Sequence, residues 1–480
     1  MSLLDDLLFE AGVAARSLGD YLGGGALRLG VTGLSRAGKT VFITALVANL
    51  VGRAKLPVFG AAAEGRLARV VLEPQPDDAV PRFAYEDHLA ALTGAERRWP
   101  QSTRRISQLR LRLEFERARG WGDRRASLTL DIVDYPGEWL LDLPLLAKSY
   151  AQWSRETLEA SASPARAPLA AEWRGWLAGR DPDAPAEEEA ARRGAELFTA
   201  YLRKSREEVY ALSTLPPGRF LMPGDLEGSP ALTFAPLPVG ADAEPAGGSL
   251  GAMMERRYEA YKTHVVRPFF RDHFARLDRQ IVLVDALVAL NSGPAALRDL
   301  ELALSDVLQA FRAGRASLLS TLLRPRIDRI LFAATKADHL HHASHDRLEA
   351  ILRQLTARAI LRAEGVGAEV DVIALAAIRA TREARLRHDG AAMDAIIGVP
   401  EAGERLGGQV FDGATEAAVF PGELPADPAA VFAGQAIALP EAENDWRFLR
   451  FRPPVIAPGA CAPQIRLDRA LQFLVGDKLA

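Results

Sequence analysis

The chain has 480 residues, 49% hydrophobic and 25% charged, an ordinary composition for a globular protein of two domains or of one with large insertions. A net charge of -3 argues against wholesale nucleic-acid binding, and a single cysteine, Cys461, excludes an intrachain disulfide or a cysteine-built metal cage. The first residues are acidic, with no basic segment ahead of an apolar core, and no run of about 18 uncharged apolar residues occurs, so a cytoplasmic protein without a membrane-spanning helix is expected.

In chain order, residues 3–22 carry apolar positions at helical spacing (Leu4, Leu7, Leu8, Val13, Leu18, Tyr21) until three glycines, Gly23 to Gly25, end the pattern. Residues 27–32 (LRLGVT) read as a buried strand, and residues 39–51 (KTVFITALVANLV) as a helix. Further strands are expected at 109–116 (LRLRLEFE), 127–133 (SLTLDIV), 280–290 (QIVLVDALVAL), 330–334 (ILFAA) and 370–374 (VDVIA), with helices at 295–323 and 345–364 between the later ones. Such alternation predicts an α/β fold with a mostly parallel central sheet flanked by helices. Residues 144–278 differ: charged helical segments such as 186–209 and a Pro/Gly-rich stretch at 214–251 read as a large helical insertion. The expected organisation is therefore an N-terminal helix (1–24), the first part of the α/β domain (25–143), the insertion (144–278), the second part (279–391), and a loop-rich C-terminal region ending in a helix (392–480).

Between the first strand and its helix stands Gly33-Leu-Ser-Arg-Ala-Gly38-Lys39-Thr40, the pattern G-x-x-x-x-G-K-S/T. Gly33 and Gly38 permit a loop tight enough for successive backbone N–H groups to face a phosphate, and the helix that follows adds its N-terminal dipole. Lys39 brings a mobile cation to β- and γ-phosphates, and Thr40 offers a hydroxyl to Mg²⁺. The nucleotide-binding set in this stretch is Gly33, Ser35, Arg36, Ala37, Gly38, Lys39, Thr40 and Val41.

Two further motifs follow strands. Asp134-Tyr-Pro-Gly137 matches D-x-x-G: the aspartate is suited to a Mg²⁺-bound water, and the glycine N–H to a γ-phosphate whose loss releases the loop. Thr335-Lys336-Ala337-Asp338 matches N/T-K-x-D, where a carboxylate accepts two parallel hydrogen bonds from guanine N1–H and its 2-amino group, a donor pair adenine lacks. Lys336 can lay its stem along the base, and His339 is a candidate for covering the base edge. After the next strand, Ala376, Ala377 and Ile378 stand where a short loop would offer an N–H to guanine O6. A P-loop kinase or ATPase would leave the TKAD motif without a task.

This order of motifs resembles the translation-factor/Ras-like class of GTPases. More closely, GLSRAGKT (33–40), WPQST (99–103), DYPGEWLLDLPLL (134–146), VVRPFFRDHFARLDRQIVLVDAL (265–287), ATKADHL (334–340) and IRLDRALQFLVGDKL (465–479) resemble the YcjX-like family of bacterial stress-associated P-loop proteins across essentially the whole chain. The resemblance implies a Ras-like P-loop NTPase core with large helical insertions, binding of GTP/GDP with Mg²⁺, and a role in a stress response. A Ras-like protein also needs a switch threonine that closes on Mg²⁺ and the γ-phosphate. Thr103 is the choice here, with Ser102 the alternative, so the metal set is Thr40, Thr103 and Asp134. Trp99 either packs on the nucleotide or anchors its loop. The residue after the D-x-x-G glycine often positions the attacking water. Here it is Glu138, whose charge opposes the γ-phosphate, so slow turnover is expected. The catalytic set is then Lys39, Gly137, Glu138 and Thr103, with Arg36 and Arg104 as candidate internal cations.

The remaining clusters read as structural. His339, His341, His342 and His345 form a solvated run, the arginines between 104 and 125 line the outer face of a strand, and Phe269 and Phe270 between Arg267 and Arg271 pack in a core, peripheral membrane contact being the other reading. The expected function is a guanine-nucleotide switch that hydrolyses GTP slowly and answers to an unidentified protein partner or regulator. The alternatives are a nucleotide-binding scaffold with little hydrolysis, or an ATPase.

Overall fold

A computed structural model describes residues 26–480 except 35–36, 76, 102–104, 119–123, 208, 241–244, 310–326, 389–390, 407, 433–447 and 458. The expected N-terminal helix, and Ser35, Arg36, Ser102, Thr103 and Arg104, lie outside the described residues.

Strands β1 (Leu27–Gly33), β2 (Leu67–Glu73), β3 (Ser107–Glu116), β4 (Arg125–Asp134), β5 (Arg279–Val284), β6 (Arg329–Ala334) and β7 (Glu369–Ala374) form one sheet in the order β2-β3-β4-β1-β5-β6-β7. The β2-β3 and β3-β4 pairs are antiparallel and the others parallel, giving the mixed, mostly parallel sheet of an α/β fold. The strands with near-continuous apolar runs, β1, β5 and β6, are buried along almost their whole length, as strands covered on both faces must be. β3 alternates instead, burying Leu109, Leu111, Leu113 and Phe115. Register sets Val31 opposite Asp134, Gly33 opposite Leu283, and Ala334 opposite both Val284 and Ala374. The carboxyl ends of five strands therefore share one edge, and the strand order reverses at β1, the geometry that opens a ligand crevice in α/β sheets.

The strand expected at 280–290 ends at Val284. Asp285 accepts a hydrogen bond from the Val288 amide at 3.3 Å and starts the short helix Ala286–Asn291, whose buried face continues the apolar run. The helix expected at 345–364 is two, His345–Leu355 and Ala357–Gly365, meeting at Thr356, whose hydroxyl bonds back to the Leu352 carbonyl at 2.7 Å. The region expected to be loop-rich from residue 392 contains most of β9 (Ala391–Gly398), which pairs antiparallel with β8 (Arg382–His388) just before it and with the strand Ala417–Val419.

The C-terminal helix Leu467–Val475 shares one core with β1 and the Lys39–Val51 helix. Polar contacts fix it there. Asp468 accepts from the Val58 amide at 3.0 Å and Gln472 from the Gly60 amide at 2.9 Å. Arg279, 1% exposed, bonds the Leu474 carbonyl and the carboxylates of Asp477 and Asp328. A buried guanidinium is tolerable only with such full pairing.

Backbone contacts divide the chain into two units: one from Met1–Tyr135, Leu277–Asn291 and Arg315–Ala480, the other from Pro136–Arg276 and Ser292–Gly314. The second is helical and has an aromatic core, in which Trp153 stacks on Tyr258 at 5.0 Å and Trp173 on Tyr201 at 5.5 Å. Its helices include Tyr150–Ser161 and Leu250–Tyr261, capped by Ser149 and Ser249. The helix Pro294–Gln309 belongs to this unit through Asp299, which pairs with buried Arg166 at 2.5 Å and accepts from the amides of Ser213 and Thr214. Phe269 is buried edge-on to Trp139 at 5.7 Å. No helix among the described residues is long and apolar enough to cross a membrane.

Candidate functional site

At the end of β1 the backbone of Gly33 lies against β5. A Cβ there would meet the Leu283 carbonyl oxygen at 2.6 Å and the Cβ atoms of Leu283 and Ala37 at 2.9 Å. Gly38 has φ 81°, the left-handed region open to glycine, and turns the chain into the Lys39–Val51 helix. No side chain caps that helix, and its first turn holds no acidic residue to oppose an anion at its N-terminal dipole. The Lys39 ammonium donates to the Gly33 carbonyl at 2.9 Å. Thr40 is 5% exposed at the start of the helix. Gly33→Ala would force the new methyl into backbone that cannot yield, so we expect a loss of about 1–3 kcal/mol of stability in urea unfolding together with impaired phosphate binding. Unchanged values in both would show that the close approach to Leu283 is unimportant.

Asp134, 1% exposed, ends β4 opposite Val31 and Ser107. Tyr135 follows, its hydroxyl accepting from Gln280 Nε2 at 2.8 Å. The next residues belong to the helical unit, where Gly137 and Glu138 begin the 3₁₀ stretch Gly137–Ala147. That stretch is held throughout. The Glu138 carboxylate is buried and paired with Arg206 at 2.5 Å, and Gly218 packs so closely on the Glu138 carbonyl that a Cβ would lie 1.8 Å from it. Trp139 donates to the Met222 carbonyl at 2.9 Å beneath the Arg219 guanidinium. Asp142 accepts from the Gly218 amide and the Tyr261 hydroxyl, each at 2.6 Å, and burial raises its pKa to about 6.

On β6 the chain turns after Ala334. Lys336 adopts φ 60° and its ammonium reaches Asp285 at 2.5 Å. The Thr335 amide donates to Val284 O and the Ala337 amide to Leu375 O, which ties the loop to both neighbouring strands. Asp338 is 4% exposed. Its Oδ2 accepts from the Ala380 amide at 2.8 Å, its carbonyl accepts from the Thr381 hydroxyl, and burial raises its pKa to about 6. His339 is also buried, edge-on to Phe451 at 5.4 Å, and burial lowers its pKa to about 3, so the ring is neutral. His345 bonds the Ala337 carbonyl at 2.8 Å. His339, His341 and His345 are thus buried, where a solvated run was expected.

Ala377 and Ile378 are 9% and 5% exposed, between residues pinned by a distant segment: Ala376 exchanges both backbone hydrogen bonds with Ile465, and the Arg379 amide donates to Pro463. Trp99 donates its indole N–H to the Phe451 carbonyl at 2.7 Å.

The fold therefore aligns Gly33, Asp134, Asp338, Ala377 and Ile378 along one sheet edge, while Gly137 and Glu138 belong to the helical unit. Sequence reasoning missed Asp285, Ala380, Thr381, Phe451 and residues 463–465 as supports. Only Asp285, closing an apolar run, left a local signal.

The model of the YcjX-like family matches residues 27–479. A protein of Escherichia coli (strain K12) described as "Ras-like GTPase YcjX" is 41% identical over 469 residues, covering 94% of this chain and 96% of that one. A second protein so described, from Shewanella oneidensis, is 35% identical over 508 residues and the full length of both chains. With an α/β core, a family match over residues 27–479 and two relatives alike over nearly their whole length, the chain belongs to the YcjX-like family.

Proposed function

We propose that the protein binds GTP and GDP with Mg²⁺, hydrolyses GTP slowly, and switches its helical unit between two states. The observation that carries the guanine reading is the placement of Asp338: a buried carboxylate one strand-end turn from β6, on the same edge as the 33–40 loop. Its raised pKa reflects burial with few donors, and guanine N1–H and 2-amino groups would supply two more. Ala377 and Ile378 stand on the next strand end as the O6-facing loop, and Lys336 and His339 wall the base. Gly33, Ser35, Arg36, Ala37, Gly38, Lys39, Thr40 and Val41 cradle the phosphates.

The hydroxyl of Thr40 and the carboxylate of Asp134 are hard oxygen donors suited to Mg²⁺, with Thr103 the proposed third. When bound, the ion offsets charge on the β- and γ-phosphates. Lys39 adds a second cation once its ammonium leaves the Gly33 carbonyl. Glu138 is held by Arg206, which supports slow turnover and an activating protein that completes the water-positioning machinery. The same pair favours a second reading, a nucleotide-dependent interaction protein with little hydrolysis. Phosphate release no greater than that of Lys39→Ala would establish that reading over the enzyme.

The switch reading draws on chain connectivity. Asp134 and Gly137 are three residues apart, and the segment that follows is part of the helical unit's own core. Loss of a γ-phosphate contact at Gly137 would thus be felt directly by Trp139, Asp142 and their partners. A cytoplasmic stress-response role with a protein partner is what the family resemblance supports.

Calorimetric titration with GTP, GDP and ATP in Mg²⁺ tests the reading. Guanine nucleotides should bind more tightly, and ATP binding equal to or tighter than GTP would overturn it. The pH dependence adds a signature. With a pKa of about 6 in the free protein, Asp338 is about 90% ionised at pH 7 and about 10% at pH 5. Since the anion is the guanine-binding form, GDP affinity should fall roughly tenfold over that range, and the residual binding of Asp338→Ala should lack this loss.

A further inference from the structure

Immediately after the base-reading residues the loop continues His341-His342, and the sheet of β8 and β9 brings two carboxylates to it. His342 Nδ1 lies 2.7 Å from Glu383 Oε2, and His341 Nε2 lies 3.9 Å from the same oxygen. The two imidazole rings are 4.2 Å apart. One ligand atom from each of His341, His342 and Glu383 falls within 4.8 Å of the others. In a tetrahedral zinc site, bonds of about 2.0–2.2 Å keep ligand atoms roughly 3.4 Å apart, so small side-chain shifts would bring all three to bonding distance.

Two features distinguish this cluster from an ordinary surface ion pair. First, each carboxylate is oriented by an arginine through one oxygen and shows the other to the histidines. Arg379 approaches Glu383 Oε1 at 3.5 Å, leaving Oε2 inward, and Arg385 holds Asp394 Oδ1 at 3.1 Å, leaving Oδ2 3.4 Å from His341 Nδ1. A carboxylate behind one imidazole nitrogen, with the other nitrogen facing the ligand cluster, is the usual outer support of a metal-bound histidine. The Ala343 amide, 3.5 Å from His341 Nδ1, is too distant to compete strongly. Second, His341 is only 9% exposed, so its ring is held by its surroundings.

We propose that His341, His342 and Glu383, with Asp394 behind His341, form a site for a borderline-soft transition-metal dication of the zinc class. Imidazole ligands set it apart from the hard-oxygen Mg²⁺ position. The site staples the loop that carries Asp338 to β8, whose first residue, Arg382, follows the Ala380 and Thr381 contacts to Asp338. Bound metal thereby stiffens the base-reading loop, a consequence that rests on the guanine reading. The metal site itself does not.

The test is a titration of the metal-stripped full chain with Co²⁺ in excess Mg²⁺, followed by visible absorption and by Zn²⁺ competition. One equivalent should bind with tetrahedral-type absorption and be displaced by Zn²⁺. His342→Ala, at an exposed position, and Glu383→Gln should each weaken binding at least tenfold, while His264→Ala should not. Absence of saturable, zinc-displaceable binding in the wild-type chain would overturn the site, as would binding left intact in both variants. The titration needs no nucleotide, so its failure leaves the guanine reading standing.

Discussion

Replacing Lys39 with alanine should lower affinity for GTP and GDP by two to three orders of magnitude and reduce phosphate release to background. The ammonium bonds the Gly33 carbonyl, and on the proposed reading it would exchange that neutral acceptor for β- and γ-phosphate oxygens. Charge-assisted hydrogen bonds are worth about 1.5–3 kcal/mol each, and losing roughly 3–4 kcal/mol corresponds to a factor of about 10²–10³. Lys39 is part-exposed at a helix start, so thermal unfolding of the unliganded variant should change little. Calorimetry and a phosphate-release assay read the result. Affinity retained within tenfold of wild type would remove the phosphate reading of the loop.

Asp338→Asn should weaken guanine nucleotides by about 100-fold or more and favour xanthine nucleotides. A carboxylate offers two acceptors to N1–H and the 2-amino group. The amide replaces one acceptor with a donor, which opposes the amino group and suits the xanthine carbonyl. Sites built to hydrogen-bond a specific group discriminate by 10⁴–10⁵, so a 100-fold effect is a conservative expectation. Stability moves the other way. Burial raises the pKa of Asp338 to about 6, so below its unfolded value near 4 the group is protonated in both states and has no cost. The penalty for the folded anion builds as pH rises through the interval from 4 to 6 and is complete above it. Asparagine removes that penalty and can still accept from the Ala380 amide. The variant should therefore unfold no more easily than wild type at pH 7.5, and its lost affinity cannot be ascribed to misfolding. Wild-type guanine affinity in this variant would show that another residue reads the base.

How much of the molecule was legible depended on how local each signal was. The Lys39–Val51 helix could be bounded to the residue because a glycine needing positive φ precedes it and another glycine follows its last apolar position. β1, β6 and β7 announced themselves as short buried runs. The run at 280–290 misled because the strand and the buried face of the next helix are equally apolar, with Asp285 alone marking the boundary. β2 is a half-exposed edge strand whose LARVVLE sequence carries weak alternation, β8 (REARLRH) is mostly charged, and β9 (AAMDAIIG) lacks regular alternation. The helix at 294–309 looked like part of the nucleotide domain. Its place in the helical unit follows from Asp299 meeting Arg166, 133 residues away. Glu138 presents the same problem in the site, since its partner Arg206 is 68 residues distant and no spacing rule could pair them.

The bonds from Ile465 and Pro463 to the loop beyond β7 bear on how the molecule is made. Residues 376–379 leave the ribosome some 86 residues before the strand-like segment that braces them, and the helix that seals the same core is later still. A nascent chain thus carries the 134–137 and 335–338 motifs well before the loop beyond β7 can be braced. On the guanine reading proposed above, competence for nucleotide should arrive late in synthesis.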